Sequence, residues 1–543
     1  MGVYQYSGTL RQILKRLVNP YSLMASSPFD SNTLYYGDNL EVLRKHFPDN
    51  CVDLVYLDPP FNSKADYNIL FKEATGEQST AQIQAFTDFW HWDKIAEKTY
   101  LEIQEDPNLV EMIQFLKAHL GRNDMMAYLV MMTTRLRELH RVLKSTGSLY
   151  LHCDPTASHY LKIILDTIFG PKNFRNEIVW KRFAFHADAR RFGRVQDVLL
   201  FYSKSDDYVW NTRYVDFKES YKKSHFTYKD ERGQYTLDNL NPPGGRGPVY
   251  EFHGFTRPWR YTREKMLKLE EEGLIYVPKD KVPRLKRYLN ELKGQAVNSV
   301  WIDIPPINSM SKERIGFQTQ KPLRLLERIV MASSNEGYWI LDPFCGCGTT
   351  IIAAQKLKRK WVGIDITHLA ISLIRSRLKE IHVIAGKNYR IVGEPVDLAS
   401  AIALAEADKY QFQWWALSLV DARPTGQSSE DEHGKKGADK GVDGWLFFRE
   451  GDNINLQKIV VQVKGGHVNP QQVRDLIGTV QSSKSAMGIF ITLNEPTEPM
   501  KQAAMEAEYY ESPTWGHKYP KIQIITIKEL LSGIKPVIPH TRS

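Results

Sequence analysis

The sequence predicts an α/β protein that carries a mainly parallel sheet and a second, smaller α/β domain. Short apolar runs alternate with segments of helical periodicity between residues 33 and 170, and the alternation returns between residues 320 and 380. The composition is that of a globular protein, with 42% hydrophobic and 25% charged residues. A chain of 543 residues is long enough for about two or three domains with sizeable cores.

The first regular stretch alternates strands and helices. "TLYYGDNLEVLRKHF" predicts a short strand, a turn at Gly37 and Asp38, and a helix. "VDLVYLDPPF" predicts a strand that ends in a rigid loop, and "MMAYLVMMTTRLRELHRVLK" predicts a helix. "GSLYLHCD" predicts a strand after a glycine break, and "HYLKIILDTIFG" predicts a helix that ends at Gly170. This alternation favours a parallel sheet.

The pattern loosens between residues 181 and 300, where Arg, Lys, Tyr, Phe and Trp are frequent and "NPPGGRGP" predicts turns. Order returns with a helix that begins near Pro322. Strand "YWILDPF", a glycine loop, helix "TTIIAAQKLK", strand "KWVGIDI" and helix "HLAISLIRSRL" then predict a further βαβ segment. Beyond residue 400, strands "GWLFF", "KIVVQVK" and "MGIFITL" and helix "PQQVRDLIGTVQS" predict the smaller α/β domain.

Charge, cysteine content and hydropathy indicate which compartment and which kinds of partner to expect. The net charge of +9 is modest for this length, so by itself it is weak evidence for a polyanionic partner. Four cysteines are too few for a disulfide framework and indicate a reducing compartment. The sequence shows no apolar run of membrane-spanning length, no signal-peptide core and no P-loop lysine motif, so we expect a cytoplasmic protein without its own ATPase.

The glycine loop "DPFCGCGTT" lies between a predicted strand and a predicted helix. Its spacing F-x-G-x-G, at Phe344, Gly346 and Gly348, lets the backbone approach a ligand beside the N–H groups of the helix start. Asp365 ends the next strand, where an acid can accept hydrogen bonds from both ribose hydroxyls. The pair predicts a site for an adenosine-containing ligand; the alternative is a tight turn and a helix-capping Asp.

The loop "DPPF" follows a strand and is stiff, because Pro59 and Pro60 fix their own φ angles. It presents the Asp58 carboxylate and the Pro59 carbonyl side by side, and these two acceptors can bind both N–H groups of an exocyclic amine. Phe61 can stack on the ring that carries the amine, and such a base must be flipped out of a duplex. Catalysis would then rest mainly on positioning and desolvation. The alternative is a Pro-rich turn that closes a strand.

These motifs carry a resemblance to a known family. The chain from about residue 30 to 390 resembles the β-class DNA amino-methyltransferases, close to the modification subunits of type III restriction systems, through "YGDNLEVL", "LDPPFNSKADYN", "LRELHRVLKSTGSLYLHCD", "NEIVWKR", "TQKP" and "LDPFCGCGTT". In that family the D-P-P-[YF] loop precedes the F-x-G-x-G loop, as here. The resemblance implies a circularly permuted Rossmann-like methyltransferase sheet over residues 31–395. Residues 1–30 before it form a basic segment, and its amphipathic character predicts a surface helix. The resemblance also implies that residues 181–300 form an inserted target-recognition region.

The resemblance implies S-adenosylmethionine as the methyl donor and double-stranded DNA as the substrate. It implies transfer to an exocyclic amine, with adenine N6 favoured over cytosine N4, and Phe61 replaces the commoner Tyr. The implied catalytic residues are Asp58, Pro59, Pro60 and Phe61. The implied cofactor residues are Asp342, Phe344, Gly346 and Gly348 on the methionine side, Asp365 at the ribose, Asp38 at the adenine, and Lys321 at the helix that borders the methionine pocket. In the recognition region, Arg182, Arg190, Arg191 and Arg194 are candidates for phosphate or guanine contacts or, alternatively, form a solvated basic face.

In the smaller domain, Asp443 precedes one strand, and Gln462 and Lys464 lie on the same face of another. Such a set can hold Mg²⁺ at Asp443 and orient water with the lysine, or it can be an ordinary exposed hairpin. "GTVQSSKSAMGIFITLNEPTEPMKQAA" and "IQIITIKELL" resemble the Mrr-like branch of the PD-(D/E)XK nucleases, which implies such a domain over residues 401–543. Gln413 stands where that family often has Glu, and Glu406 is in a different register.

Three hypotheses follow for the whole chain. The first is a DNA amino-methyltransferase with a Mg²⁺-dependent nuclease domain in a restriction–modification system. The second keeps the methyltransferase and makes the C-terminal domain a non-cleaving DNA-binding or interaction module. The third is a non-catalytic DNA-binding protein with a relic cofactor pocket, against which the set Asp58, Phe344 and Asp365 argues. A homodimer and a restriction-system partner both stay open, and no membrane partner is expected.

Overall fold

The computed structural model describes residues 29–60, 92–182, 190, 192–308, 310–315, 317, 319–424, 442–450, 455–514 and 516–539. Phe61 and Arg191, both named above, lie outside these residues. The chain divides into two compact units, of which the second is Thr212–Asn298 and the first comprises Met1–Asn211 and Ser299–Ser543. No helix in the described ranges is long and apolar enough to cross a membrane.

The first half of the first unit alternates strands and helices as the sequence predicts. The strands are β1 (Asn32–Tyr36), β2 (Val52–Leu57), β3 (Leu143–Cys153), β4 (Phe174–Lys181) and β5 (Gln196–Ser203). The helices are α1 (Asn39–His46), α2 (Lys94–Gln104), α3 (Val110–Leu120), α4 (Asp124–Val142) and α5 (Ser158–Phe169). One boundary differs, because the backbone becomes extended at Leu143 although the helical pattern of side chains runs on to Lys144.

The second unit is built mainly from short antiparallel strands. These are β6 (Tyr214–Val215), β7 (Tyr228–Asp230), β8 (Gly233–Asp238), β9 (Val249–Phe252), β10 (Phe255–Pro258), β11 (Ile275–Tyr276), β12 (Arg284–Tyr288) and β13 (Gln295–Ala296), with helices α6 (Glu219–His225) and α7 (Arg263–Glu271). A four-stranded sheet has the order β11-β12-β8-β7. The buried ring of Trp259 lies in the core of this unit, and its indole N–H donates to the Tyr250 carbonyl at 2.9 Å.

The chain then returns to the main sheet of the first unit. The added strands are β14 (Val300–Trp301), β15 (Trp339–Asp342), β16 (Lys360–Asp365) and β17 (Tyr389–Val392), with helices α8 (Leu323–Ser333), α9 (Thr349–Lys356) and α10 (His368–Glu380). The nine strands have the order β14-β4-β5-β3-β2-β15-β16-β1-β17. Only β5 among them runs antiparallel to its neighbours. The predicted α/β class is therefore confirmed.

Strand β5 gives the main departure from the predicted organisation. It lies inside the region 181–300, yet it pairs with β3 and β4 in the main sheet. Seven of its eight residues are buried, as its apolar run "DVLLFYS" requires. The separate unit accordingly begins at Thr212 and not near Lys181.

The C-terminal domain, as we call residues 398–539, contains a second α/β sheet. Its strands are β18 (Arg423–Pro424), β19 (Gly444–Glu450), β20 (Asn455–Lys464), β21 (Met487–Thr492), β22 (Tyr509–Glu511), β23 (Lys518–Pro520) and β24 (Ile522–Thr526). Its helices are α11 (Leu398–Ala407), α12 (Lys409–Leu419), α13 (Pro470–Ser482), α14 (Glu498–Glu506) and α15 (Ile527–Leu531). The five-stranded sheet has the order β18-β19-β20-β21-β24, with β20, β21 and β24 parallel. The predicted strands and helix α13 are confirmed.

Candidate active site

Three acidic residues lie at the ends of neighbouring parallel strands. Asp58 follows β2, Asp342 ends β15 and Asp365 ends β16, and these strands are adjacent in the sheet. Val55 of β2 is aligned with Leu341 of β15. Neighbouring strands are about 4.8 Å apart, so their carboxyl ends form one edge. The two loops that are far apart in the sequence therefore share that edge, which is where open α/β sheets bind ligands.

Asp58 forms an ion pair with Lys321, which approaches from the start of helix α8. The Lys321 ammonium donates to Oδ2 of Asp58, and it also donates to the Thr319 carbonyl at 3.4 Å. The two paired side chains are only 9% and 16% exposed, so the charges neutralise each other in a site with little water. Lys321 was predicted at the methionine pocket; the structure places it against the predicted catalytic acid.

A chain of buried polar groups lies behind Asp58. The Tyr56 hydroxyl is 2.9 Å from Nδ1 of His152, and Nε2 of His152 is 3.0 Å from Oδ2 of Asp197. Burial acts to raise the pKa of Asp197, but the hydrogen bond to His152 and nearby positive charges outweigh it and lower the pKa to about 2. Nε2 of His152 lies within hydrogen-bond distance of the ionised Asp197 carboxylate, and Nδ1 lies within hydrogen-bond distance of the Tyr56 hydroxyl, so the imidazole links the two groups. Sequence patterns did not reveal this chain, because it depends on the pairing of three strands.

The glycine loop is held by its own backbone and by Asp365. Oδ2 of Asp365 accepts from the Gly346 N–H at 2.8 Å, and Oδ1 of Asp342 accepts from the Phe344 N–H at 3.1 Å. Gly348 has φ +76°, and a Cβ there would lie 2.5 Å from Cγ1 of Ile374 in helix α10. Gly348 is therefore required for a left-handed turn and for close helix packing.

Burial raises the pKa of two of the acids. For Asp342 the pKa rises to about 7, in spite of hydrogen bonds from Thr350 and Phe344, so this carboxyl is partly protonated at neutral pH. Burial also raises the pKa of Asp365, while hydrogen bonds from Thr367 and Gly346 oppose the rise. Both shifts report carboxylates that would be stabilised by a cationic ligand.

Asp38 lies at the same edge, but its carboxylate already has partners. It caps helix α1 by accepting from the Leu40 N–H at 2.8 Å, and its other oxygen accepts from Arg135 at 2.5 Å. Arg135 also donates to Asn39, whose amide donates to the Pro343 carbonyl at 2.7 Å. The adenine contact of Asp38 remains a prediction. Arg135 and Asn39, which brace the loop after β15, were not predicted, since nothing in the local pattern marks them.

In the C-terminal domain the structure brings the predicted residues to neighbouring strands. Oδ2 of Asp443 accepts from the Val463 N–H at 2.7 Å, and Oδ1 accepts from the Gln413 amide at 3.1 Å. Gln462 is buried, and Lys464 ends β20. Glu406 is exposed on helix α11. Among the described residues no group of three or more His, Cys, Asp or Glu side chains could hold a metal ion.

The candidate DNA-contacting arginines are not equivalent. Nη1 of Arg182 lies 3.4 Å from Oδ1 of Asp197, the last residue of the buried polar chain that begins at Tyr56. Arg190 and Arg194 are exposed, and Arg194 donates to the Thr156 hydroxyl at 3.2 Å. The roles of these arginines stay predictions.

A protein-family model described as DNA methylase, for N6 and N4 methyltransferases, matches residues 52–376. This is well over half of the chain. The chain belongs to the N6/N4 DNA methylase family. The matched part of this N6/N4 DNA methylase includes Asp58, Lys321 and the glycine loop. A second model, described as "NACHT-associated inactive Restriction Endonuclease 1", matches residues 427–532.

Characterised relatives match parts of this N6/N4 DNA methylase. It is 33% identical over 258 residues to the type II methyltransferase M.EcaI of Enterobacter cloacae, covering 46% of this chain and 57% of that protein. It is 26% identical over 365 residues to the StyLTI Mod subunit, a type III restriction-modification enzyme of Salmonella typhimurium, covering 63% of this chain and 52% of that protein. The chain thus spans about half the length of these relatives.

A solved structure of the DNA modification methylase TTHA0409 of Thermus thermophilus, in complex with S-adenosyl-L-methionine, is also similar to this DNA methylase. The identity is 17%, the TM-score is 0.33, and the match covers 67% of this chain and 100% of that chain.

Proposed function

We propose that this protein transfers a methyl group from S-adenosylmethionine to an exocyclic amine of double-stranded DNA, with adenine N6 favoured over cytosine N4. The observation that carries the proposal is the meeting of Asp58 with Asp342 and Asp365 at one sheet edge. The relatives named as type II methyltransferases and a type III Mod subunit support it and favour a restriction–modification setting.

The net charge of the residues at this edge is complementary to that of the methyl donor. The three acids outnumber the one lysine, and S-adenosylmethionine has a net charge of +1 because its ammonium and sulfonium outweigh its carboxylate. Asp342 would hold the ammonium of the methionine part, and Asp365 would hold the ribose hydroxyls beside Gly346. When bound, the cofactor supplies an electrophilic methyl group.

The Asp58 loop would orient the amine of a flipped base. Its carboxylate and the Pro59 carbonyl accept the two N–H groups and direct the nitrogen lone pair at the methyl group, and Phe61 stacks on the ring. Lys321 holds one carboxylate oxygen of Asp58 in place. The hydrogen-bonded groups Tyr56, His152 and Asp197 connect the end of β2 to strands β3 and β5. The chain's part in catalysis is therefore positioning in a site that excludes water.

We propose the unit Thr212–Asn298 as the target-recognition part of the molecule. It combines exposed aromatic side chains, those of Tyr214, Tyr221 and Tyr228, with many lysines and arginines. Arginine and aromatic side chains are suited to phosphates and to unstacked bases. Residues 31–395 are proposed as the methyltransferase with this unit inserted.

For the C-terminal domain we propose a non-cleaving DNA-binding or interaction module. The amide of Gln413 donates to Asp443, where a second acid would be needed to share a Mg²⁺ ion. The match to a family of inactive endonucleases supports this choice over the Mg²⁺-dependent nuclease. We expect purified protein with Mg²⁺ to leave unmethylated DNA uncut. Cleavage that is lost in Lys464→Ala would contradict the proposal.

The methyltransferase proposal is tested by incubating the protein with methyl-labelled S-adenosylmethionine and unmethylated DNA, followed by nucleoside mass spectrometry. We expect label in N6-methyladenine. Label in N4-methylcytosine would overturn the choice of base, and unlabelled DNA would overturn the proposed activity. Sequencing that detects modified bases would give the target site from the same sample.

The affinity for S-adenosylmethionine should rise with pH because of Asp342. Its pKa of about 7 in the free protein means that it must lose a proton before it can pair with the ammonium of the cofactor. We therefore expect the dissociation constant to fall by up to about tenfold per pH unit between pH 5 and about pH 7, and then to level off. Isothermal titration calorimetry would measure it, together with proton release. Asp342→Asn should bind more weakly and lose this pH dependence; an unchanged slope would contradict the assignment.

A further inference from the structure

The first N–H group of helix α10 has its hydrogen-bond acceptor in the C-terminal domain. The N–H of His368, the first residue of the helix, donates to the side-chain oxygen of Gln411 in helix α12 at 2.7 Å. The first N–H groups of a helix have no partner inside it. His368 is 1% exposed and Gln411 is 4% exposed, so water does not replace this acceptor when it is lost.

The same helix start holds the predicted ribose acid. Thr367 caps α10, and its N–H and its hydroxyl donate to Oδ1 of Asp365 at 3.0 Å and 2.8 Å. The other oxygen of Asp365 accepts from Gly346. A shift of the α10 start would therefore move Asp365 and the glycine loop together.

The N-terminus of helix α12 also faces this edge of the sheet. The ring of His368 stacks on Tyr36 with the ring centres 3.7 Å apart. Burial raises the pKa of Tyr36, and the carboxylates of Asp408, Glu394 and Asp365 add to the rise. Asp408 caps helix α12, so a carboxyl group of the C-terminal domain lies close to the residue that ends β1.

The opposite face of helix α12 contacts Asp443, one of the predicted nuclease-like residues. Gln413, two positions after Gln411, donates to Asp443. Residues two apart on a helix point about 200° away from each other, so one short helix contacts both places.

We propose that Gln411 is a positioning residue of the methyl-donor pocket, through which the C-terminal domain raises the affinity for S-adenosylmethionine. The inference rests on the proposed function. Because coupling between sites is reciprocal, cofactor binding also stabilises the contact between α10 and α12. The C-terminal domain is then part of the methyltransferase's binding apparatus as well as a separate module.

The test compares two variants on the same helix. Gln411→Met keeps the length of the side chain and removes the acceptor, and Gln413→Met makes the same change on the side that faces Asp443. We expect Gln411→Met to raise the dissociation constant for S-adenosylmethionine about tenfold, with kcat at saturating cofactor within about threefold. Gln413→Met should leave the dissociation constant within about twofold. Calorimetry gives the first quantity and label transfer gives the second.

Each outcome decides between the alternatives. Binding by Gln411→Met that equals wild type overturns the inference, and so does an equal loss in both variants, which would indicate a general loosening of the helix. Wild-type protein that does not bind S-adenosylmethionine overturns the proposed function together with the inference. Wild-type binding without loss in Gln411→Met overturns the inference alone.

Hydrogen exchange on the wild-type chain provides a measurement that does not depend on the folding of a variant. Adding S-adenosylmethionine should slow exchange in peptides from helix α12 by at least about threefold, while helix α13 serves as the control within the same domain. Unchanged exchange in α12, at a cofactor concentration that protects helix α9, would overturn the inference.

Discussion

Asp58→Asn is expected to lower kcat for methyl transfer by about 100- to 1000-fold, the size of effect seen when one preorganised polar group is removed from an active site. Asn keeps the shape of the side chain, but it replaces one acceptor oxygen by an amide that cannot accept an N–H of the target amine. It also removes the negative charge that pairs with Lys321. Steady-state label transfer at saturating DNA and cofactor measures the effect.

Asp154→Asn is the matched control for this prediction. Asp154 directly follows β3, which runs parallel to β2, and so lies at the same sheet edge. Its carboxylate accepts from the Thr156 N–H at 2.9 Å, a bond that the Asn oxygen can keep. We expect its kcat within about threefold of wild type. If Asp58→Asn retained a tenth or more of the activity, the catalytic role of Asp58 would be wrong.

Gly348→Ala is expected to destabilise the protein by about 2–5 kcal/mol and to abolish measurable cofactor binding. The positive φ angle costs about 1–2 kcal/mol for a residue with a Cβ, and the contact of that Cβ with Ile374 adds about 1–3 kcal/mol of overpacking. Urea denaturation and calorimetry measure the two effects.

Gly386→Ala separates the two causes. Gly386 has φ +78°, close to the value at Gly348, but no atom lies within 4 Å of a Cβ built there. We expect this variant to lose only the backbone part, about 1–2 kcal/mol, and to bind cofactor as wild type does. Adding Ile374→Ala to Gly348→Ala should recover part of the loss, since the two changes share one contact. Equal effects of the two glycine changes would mean that packing against Ile374 plays no part.

The parts of the fold that the sequence predicted correctly are those with continuous apolar runs. Strand β2 is buried at all six positions. A parallel strand that is covered on both faces has a nearly continuous apolar sequence, which distinguishes it from a loop. Strand β5 is equally apolar, but an arginine-rich segment precedes it and its direction is antiparallel. Local pattern does not report which sheet a strand joins, so β5 was grouped with the region that follows it.

The candidate site was predictable to the extent that its residues lie on motifs. Asp58 can be recognised by the two prolines that follow it and restrict the backbone. The glycine loop can be recognised by glycines that allow unusual backbone angles. The ion pair of Asp58 and Lys321 joins residues 263 positions apart, and the hydrogen bond from the His368 N–H to Gln411 joins residues 43 positions apart, so both depend on tertiary packing. Buried polar partners of this kind follow no local period.

Strands β1 and β17 are the first and last strands of the methylase sheet in the sequence, and they pair with each other. Asn32 is aligned with Tyr389, and the two strands run parallel at one margin of the sheet. A rearrangement of the gene that started the chain between its two halves would leave every strand its neighbours, if a crossover segment joined the end of β17 to the start of β1.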